Sequence, residues 1–143
     1  MTTDRASGLR AVGTTVNTQY YTPPDEPDLL LVVPAMGIVD RPELAKVNVA
    51  FQVNYARALG GRRCGVVVFM DHLFGQDAES RRVYAEELTV DAFFGVGLVV
   101  PSPLSRAIGS FFIGLSKPAM PTRLFKTVDD ALQWLRSLRA EAS

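Results

Sequence analysis

The chain has 143 residues, of which 48% are hydrophobic and 21% are charged. These values exclude a disordered chain and a small disulfide-stapled one, and they predict a single domain over residues 1–143 with frayed polar tails at 1–9 and 140–143. Fifteen Lys and Arg balance fifteen Asp and Glu, which leaves no net charge to attract nucleic acid. A lone cysteine and no apolar run of membrane-spanning length predict a cytoplasmic protein without membrane insertion.

Short runs rich in β-branched residues alternate with segments of helical periodicity. The first segment, Ala11–Tyr21, has partial alternation and predicts an edge strand. Later runs predict strands at Leu29–Val33, Val66–Met70, Val96–Val100 and Thr122–Lys126. With the helices between and after them, the order is ββαβαβαβα. We therefore predict an α/β fold with a central mixed, mostly parallel sheet of about five strands and four helices.

Capping residues place the ends of the helices. The first helix is predicted to begin near Asp40 and Pro42 and to stop at Gly60–Gly61. Asp77 can cap the second helix. Ser102 or Ser105 can start the third, and Thr127 with Asp130 resembles a capping box for the last.

The first helix carries two apolar stripes. At 100° per residue, the predicted core stripe consists of Leu44, Val47, Phe51, Tyr55, Ala58 and Leu59. The second stripe lies nearly opposite and consists of Ala45, Val49, Val53 and Ala56. Together with Ile113, it forms either the interface of a homodimer or a set of scattered apolar residues that the fold tolerates.

No pattern in the sequence indicates catalysis. A single histidine, His72, and a single cysteine, Cys64, exclude metal sites built from several imidazoles or thiolates. Residues 109–117, GSFFIGLSK, lack the Gly-Lys-Ser/Thr order of a phosphate-binding loop, and no G-x-G-x-x-G follows a strand. We therefore predict no catalytic residue, no metal and no cofactor, and a chain that is not an enzyme.

Polar residues follow two of the predicted central strands. In open α/β sheets, ligands and partners bind beyond the carboxyl ends of the strands. The candidates for a partner-binding or switch loop there are Asp71, Asp77, Ser80, Ser102, Ser105 and Arg106. The alternative is that the same residues only cap helices and form turns.

The carboxyl-terminal third has recognisable landmarks. They are Ser102–Pro103–Leu104, Gly109, Phe111–Phe112, Lys117–Pro118, Pro121–Phe125, Asp130–Leu132 and Trp134–Leu135. This block and the element order resemble the SpoIIAA-like branch of the STAS superfamily, and bacterial proteins described as STAS-type or CRAL-TRIO-like domains. The resemblance implies a non-enzymatic interaction module. In anti-anti-sigma relatives, a serine after the third strand is phosphorylated; Ser80 lies near that position, but the chain lacks their Asp-Ser-Ser-Gly motif.

Two functions follow from these observations. The first is a bacterial STAS-like interaction or regulatory domain whose protein partner is unknown. The alternative is a small carrier of an apolar or lipid-like ligand. Its pocket residues would be Leu104, Ile108, Phe111, Phe112 and Leu115.

Overall fold

The computed structural model describes residues 8–35, 38–76, 78–87, 89–116 and 119–142. The strands are β1 Arg10–Thr14, β2 Thr18–Thr22, β3 Leu29–Pro34, β4 Ile38–Asp40, β5 Cys64–Phe69, β6 Leu73–Gln76, β7 Phe93–Val99 and β8 Thr122–Phe125. The helices are α1 Pro42–Arg57, α2 Ala78–Glu87, α3 Pro103–Phe111 and α4 Val128–Ala142. A 3-10 turn, Met70–His72, follows β5, and a π-helical turn, Phe112–Ser116, continues α3.

The main sheet has six strands in the order β1-β2-β3-β5-β7-β8. β1, β2 and β3 pair antiparallel, whereas β3, β5, β7 and β8 pair parallel, so the predicted mixed, mostly parallel sheet is confirmed. The strand count differs for two reasons. The predicted strand Ala11–Tyr21 is a hairpin that turns at Thr15–Asn17, and β4 and β6 form a separate two-stranded parallel sheet.

The helices divide between the two faces of the main sheet. Residues of α1, α2 and α3 pack on one face, which we call the α1–α3 face, and α4 packs on the other, the α4 face. Alternate residues of β3 show the division, since Leu30 joins the first core and Leu31 the second. Both are buried. This arrangement explains why the central strands are continuous apolar runs.

The structure corrects the predicted faces of α1. Ala45, Val49 and Ala56 are 0%, 2% and 2% exposed within the chain's own core, and Val53 is partly buried against it. Of the predicted core stripe, Phe51, Tyr55 and Leu59 pack against this core, whereas Val47 is 47% exposed. The predicted oligomer face is therefore internal packing, and its last member, Ile113, also packs against this core. The centre of the buried face consists of small or polar residues, which periodicity of large apolar side chains does not identify.

A polar network lies between α1 and the β1–β2 hairpin. Asn48, 2% exposed, accepts hydrogen bonds at Oδ1 from the Tyr20 hydroxyl at 2.7 Å and the Thr15 hydroxyl at 2.6 Å. Its Nδ2 donates to Asn17 Oδ1 at 2.9 Å and to the Leu44 carbonyl at 3.1 Å. Asn48 thereby uses both ends of its amide, so burial of this polar side chain is compensated.

α4 lies close to the sheet because three facing strand positions are glycine. A Cβ at Gly97 would stand 3.0 Å from the Ala131 Cβ, and one at Gly95 would stand 3.1 Å from Leu135 Cδ2. A Cβ at Gly65 would also meet Leu135, at 3.2 Å. The missing side chains make room for the buried stripe of α4, which includes Ala131 and Leu135 at 0% exposure.

Ion pairs fasten the far end of α4 to the loop before β3. Glu26 accepts from Arg136 at 2.7 Å and from Arg139 at 2.8 Å, and Asp28 accepts from Arg139 at 3.0 Å. These contacts lower the pKa of Glu26 from 4.5 to about 2. The largest cause is the hydrogen bond from Arg136. The hydrogen bond from Arg139 and the charges of both arginines lower the pKa further, while partial burial raises it.

The ends of several elements differ from the prediction. Leu9, placed in a frayed tail, packs against the α4-face core, and α4 continues to Ala142. Arg41 rather than Asp40 precedes α1, without a side-chain cap bond, and α1 ends at Arg57 before the positive-φ Gly60 and Gly61. The Thr127 cap is confirmed, because the Asp130 N–H donates to the Thr127 hydroxyl at 3.1 Å. Residues 1–7 and 143 lie outside the described residues.

No helix in the described part of the chain is both long and apolar enough to cross a membrane.

The one cysteine, Cys64, is fully buried, and burial raises the pKa of its thiol to about 12. The thiol therefore stays protonated at neutral pH. Because the thiolate is the nucleophilic form of cysteine, Cys64 is not a nucleophile there.

Candidate partner-binding surface

The carboxyl edge of the parallel strands is where their connecting segments begin. β3, β5, β7 and β8 run in the same direction, so the segments after them leave from one edge. The 3-10 turn after β5 packs against α3, and β6 also contacts α3. The beginning of α3 therefore lies at the edge where α/β sheets usually bind ligands and partners.

Ser102 and Ser105 fix the start of α3. The Ser105 N–H donates to the Ser102 hydroxyl at 3.1 Å, and the Ser102 N–H donates to the Ser105 hydroxyl at 3.1 Å. This reciprocal capping box, with Pro103 in the first helical turn, confirms Ser102 as the N-cap. Ser105 is 1% exposed. Both hydroxyls therefore serve the helix end, as the capping interpretation predicts.

The inner side of α3 is centred on small residues. Ser105, Gly109 and Phe112 are buried, and Ile108 is partly buried against the core. A Cβ at Gly109 would lie 2.9 Å from Leu124 Cδ2 and 3.1 Å from Val100 Cγ1. Because Gly109 has no side chain, α3 can approach the sheet closely, and its opposite side is fixed toward solvent.

Five residues at the start of α3 are exposed, and we call them the α3 surface. Leu104 is 53% exposed, which makes it a prominent apolar side chain of the described surface. Pro103, Leu104 and Ala107 are neighbours at helical spacing. The set is Pro101, Pro103, Leu104, Arg106 and Ala107.

Arg106 adds a positive charge to this apolar surface. It is exposed in the first turn of α3, and the ion pairs of the described residues involve Arg136 and Arg139 instead. A cation near a helix N-terminus is not stabilised by the helix dipole, so its position is not explained by helix stability. Its five N–H donors remain available to a carboxylate.

The other predicted switch-loop residues do not all reach this surface. Asp71 is half-buried in the 3-10 turn that packs against α3. Ser80, however, is 0% exposed within α2, so a partner cannot contact its hydroxyl on the folded surface. Asp77 lies outside the described residues. The structure therefore places Asp71 and Arg106 at the carboxyl edge of the sheet, whereas Ser80 is buried and does not contribute to that surface.

The predicted apolar pocket is also corrected. Phe112 is 7% exposed and belongs to the core of the α1–α3 face, and Ile108 packs against the same core. Leu104 faces solvent instead of sharing an enclosed space with them. The side chains of Phe111 and Leu115 lie outside the described residues.

Sequence reasoning did not include Pro101, Pro103 and Ala107 among the surface residues. The available signal was the pattern Pro-Ser-Pro, which marks a helix start and leaves its flanking residues outside the core. Within the described residues, no three His, Cys, Asp or Glu side chains come together in a way that could hold a metal ion. The α3 surface thus offers an apolar contact beside one cation, with the half-buried Asp71 at the same edge of the sheet.

A family model described as "Domain of unknown function (DUF7793)" matches residues 44–139. The chain belongs to this family. It is similar to the solved structure of the anti-sigma factor antagonist SpoIIAA in its unphosphorylated form, at 13% identity and a TM-score of 0.49, over 90% of this chain and 97% of that chain. It is also similar to apo-SiaC from Pseudomonas aeruginosa, at 11% identity and a TM-score of 0.48, over 81% and 97% of the two chains. No curated protein matches the sequence.

Proposed function

We propose that this chain is a non-catalytic, regulatory interaction domain that binds a partner protein through the α3 surface. The observation that carries the proposal is an exposed Leu104 beside Arg106, which forms no ion pair with the described residues, on one capped helix. Arginine is enriched among the energetically important residues of interfaces, and the exposed leucine beside it adds apolar area that a partner can bury. The resemblance of the carboxyl-terminal block to the STAS superfamily agrees with such a role.

Rigidity of α3 supports a binding role. The capping box at Ser102 and Ser105 and the close contact at Gly109 hold the helix in place before a partner arrives. A preformed surface loses little conformational entropy when it binds. Leu104 and Arg106 therefore contribute most of their contact energy to affinity.

The experiment places a photo-crosslinking amino acid at position 104 in the native host and identifies the crosslinked protein by mass spectrometry. The affinity of the purified partner is then measured for wild type, Leu104→Ser and Arg106→Gln. We expect each change to weaken binding by about tenfold, because an anchor or a charge-assisted hydrogen bond is lost. Urea denaturation should show unchanged folding.

Two exposed residues elsewhere supply matched controls. Val90→Ser changes a side chain that is 47% exposed in the turn before β7, and Arg82→Gln removes an exposed cation on α2. Neither control should change affinity more than twofold. A partner that responds to the controls but not to Leu104 and Arg106 contradicts the proposal. Retention of a lipid-like molecule, with no protein crosslinked, would favour the carrier instead.

A further inference from the structure

β8 is an outer strand of the main sheet, and one side of its backbone faces away from the other strands. Its only strand neighbour among the described residues is β7. The Val96 N–H donates to the Pro121 carbonyl at 2.9 Å, and the Val100 N–H donates to the Phe125 carbonyl at 2.7 Å. Hydrogen bonding alternates along a parallel pair, so the backbone groups of Thr122 and Leu124 point outward. We call this side of Thr122–Phe125 the β8 edge.

The opposite outer strand is less suited to pairing. The register between β1 and β2 shifts between Ala11 and Gly13, which marks a bulge. The register between β7 and β8 is continuous from Val96 with Thr122 to Val99 with Phe125. A bulge blunts an outer strand against further pairing, whereas a regular strand remains a template for another one. Of these two edges, the β8 edge is the open one.

A cation is held at the middle of the β8 edge. The Arg123 guanidinium lies 5.5 Å from the centre of the Phe125 ring and 5.7 Å from that of Trp134. The two rings are themselves in contact, with centroids 5.3 Å apart. Cation–π attraction from both rings restrains the guanidinium, although Arg123 is exposed.

Arg123 has no anionic partner within the described chain. The ion pairs there join Arg136 and Arg139 to Glu26 and Asp28. The exposed carboxylates of Asp129 and Asp130, in the first turn of α4, form no ion pair with Arg123. The guanidinium thus keeps a full set of five donors beside an open strand edge.

We propose that the β8 edge binds an extended protein segment that adds to the sheet as a strand and places a single carboxylate against Arg123. Outward N–H and C=O groups of Thr122 and Leu124 supply the strand pairing, and Arg123 supplies the charge recognition. A longer acidic run fits less well, because Asp129 and Asp130 stand nearby. A second copy of β8 supplies no carboxylate, since Thr122–Phe125 contains none.

The test uses three blocked pentapeptides of strand-forming residues, Thr-Val-X-Val-Thr, in which X is Glu, Gln or Lys. Amide hydrogen exchange of the full chain is followed by NMR as each peptide is added. We expect the Glu peptide to bind about tenfold more tightly than the Gln peptide, with the Lys peptide weakest. The Glu peptide should slow exchange at the Thr122 and Leu124 amides and leave those facing β7 unchanged.

Two variants separate the charge from the strand pairing. Arg123→Gln should remove the preference for Glu over Gln, whereas Arg57→Gln, at an exposed arginine on α1, should preserve it. An N-methylated Glu peptide, which cannot pair as a strand, should give no protection. Absence of binding by the Glu peptide at millimolar concentration, or binding without protection at Thr122 and Leu124, would overturn the proposal. Protection of the Thr122 and Leu124 amides that rises with protein concentration, without any peptide, would also overturn it, because a second copy of the chain would then occupy the β8 edge.

Discussion

The two faces of the main sheet pack against their helices in different ways. On the α1–α3 face, α1 buries small or polar residues such as Ala45 and Asn48, and its Phe51 stacks on Tyr20 of β2 with ring centroids 4.1 Å apart. On the α4 face, the sheet supplies the space, because Gly95 and Gly97 have no side chain where Leu135 and Ala131 arrive. The comparison teaches that glycine makes room for a single aromatic side chain on one face, at Gly13 beneath Phe51, and for the buried stripe of a whole helix on the other.

The largest expected effect is at the centre of the α1 contact. Val49→Lys should cost about 5 kcal/mol or unfold the chain, because Val49 is 2% exposed and a buried unpaired ammonium loses its hydration. Val47→Lys, on the same helix at 47% exposure, should cost less than about 0.5 kcal/mol. Urea denaturation followed by circular dichroism measures both. Equal losses for the two variants would mean that the corrected face assignment is wrong.

The next effect tests the α4 face. Leu135→Ala should cost about 3 kcal/mol, since a fully buried leucine leaves a cavity. Gly95→Ala should also destabilise the wild type, because its Cβ would lie 3.1 Å from Leu135 Cδ2 and 2.8 Å from Leu138 Cδ1. In the Leu135→Ala background, the Gly95→Ala change should cost at least about 0.5 kcal/mol less than it costs in the wild type. Strict additivity in chemical denaturation would show that Leu135 does not need the space over Gly95.

A smaller loss should follow from removing the buried amide of α1. Asn48→Ala should cost about 2 kcal/mol, because the hydroxyls of Tyr20 and Thr15 lose their acceptor. Asn54→Ala, at an exposed position of the same helix, is the matched control and should be nearly neutral. Thermal and urea unfolding provide the comparison. A neutral Asn48→Ala variant would indicate that these hydroxyls find other partners without cost.

The smallest effect concerns the ion pairs at the end of α4, and it depends on pH. The folded-state pKa of Glu26 is about 2, below its usual 4.5, so its contribution is fully present above pH 4.5 and is lost as the pH falls toward 2. Glu26→Gln should cost about 1 kcal/mol at pH 7, since its arginine partners are more than one third exposed and therefore screened. The difference from wild type should disappear near pH 2.

Chemical denaturation at pH 7, 4 and 2.5 measures this difference, with Asp25→Asn in the same loop as a control that should show none of it. A difference between wild type and Glu26→Gln that persists undiminished at pH 2.5 would contradict an ionic origin.

The alternation of strands and helices could be predicted from sequence because each buried strand is a compact run of apolar residues. Leu29–Pro34 and Phe93–Val99 are buried along their whole length, so their composition alone marks them. The hairpin within Ala11–Tyr21 was not predicted. Its turn is closed locally by the Thr15 N–H, which donates to the Thr18 carbonyl at 2.8 Å, and is held from outside by hydrogen bonds to Asn48 on a distant helix. The tertiary part of this arrangement leaves no signal in the local sequence.

The faces of α1 could be predicted only in part. Periodicity follows large apolar residues, and Phe51, Tyr55 and Leu59 of the predicted core stripe do pack against the core, whereas Val47 of that stripe is exposed. The fully buried Ala45 on α1 and the close approach at Gly109 on α3 involve small residues, which that periodicity does not place in the core. Of the candidate surface, Arg106 could be predicted from its place after a central strand, whereas the burial of Ser80 depends on how α2 packs.

The covering of the α4 face by a single helix affects when that face can form. Glu26 and Arg136 are 110 residues apart in sequence, and α4 is synthesised after every strand it covers. Contacts between residues so far apart in sequence form late, and they slow folding. Until α4 docks, Leu31, Val67 and Phe94 lack this cover, so the nascent chain exposes an apolar surface that is prone to aggregation.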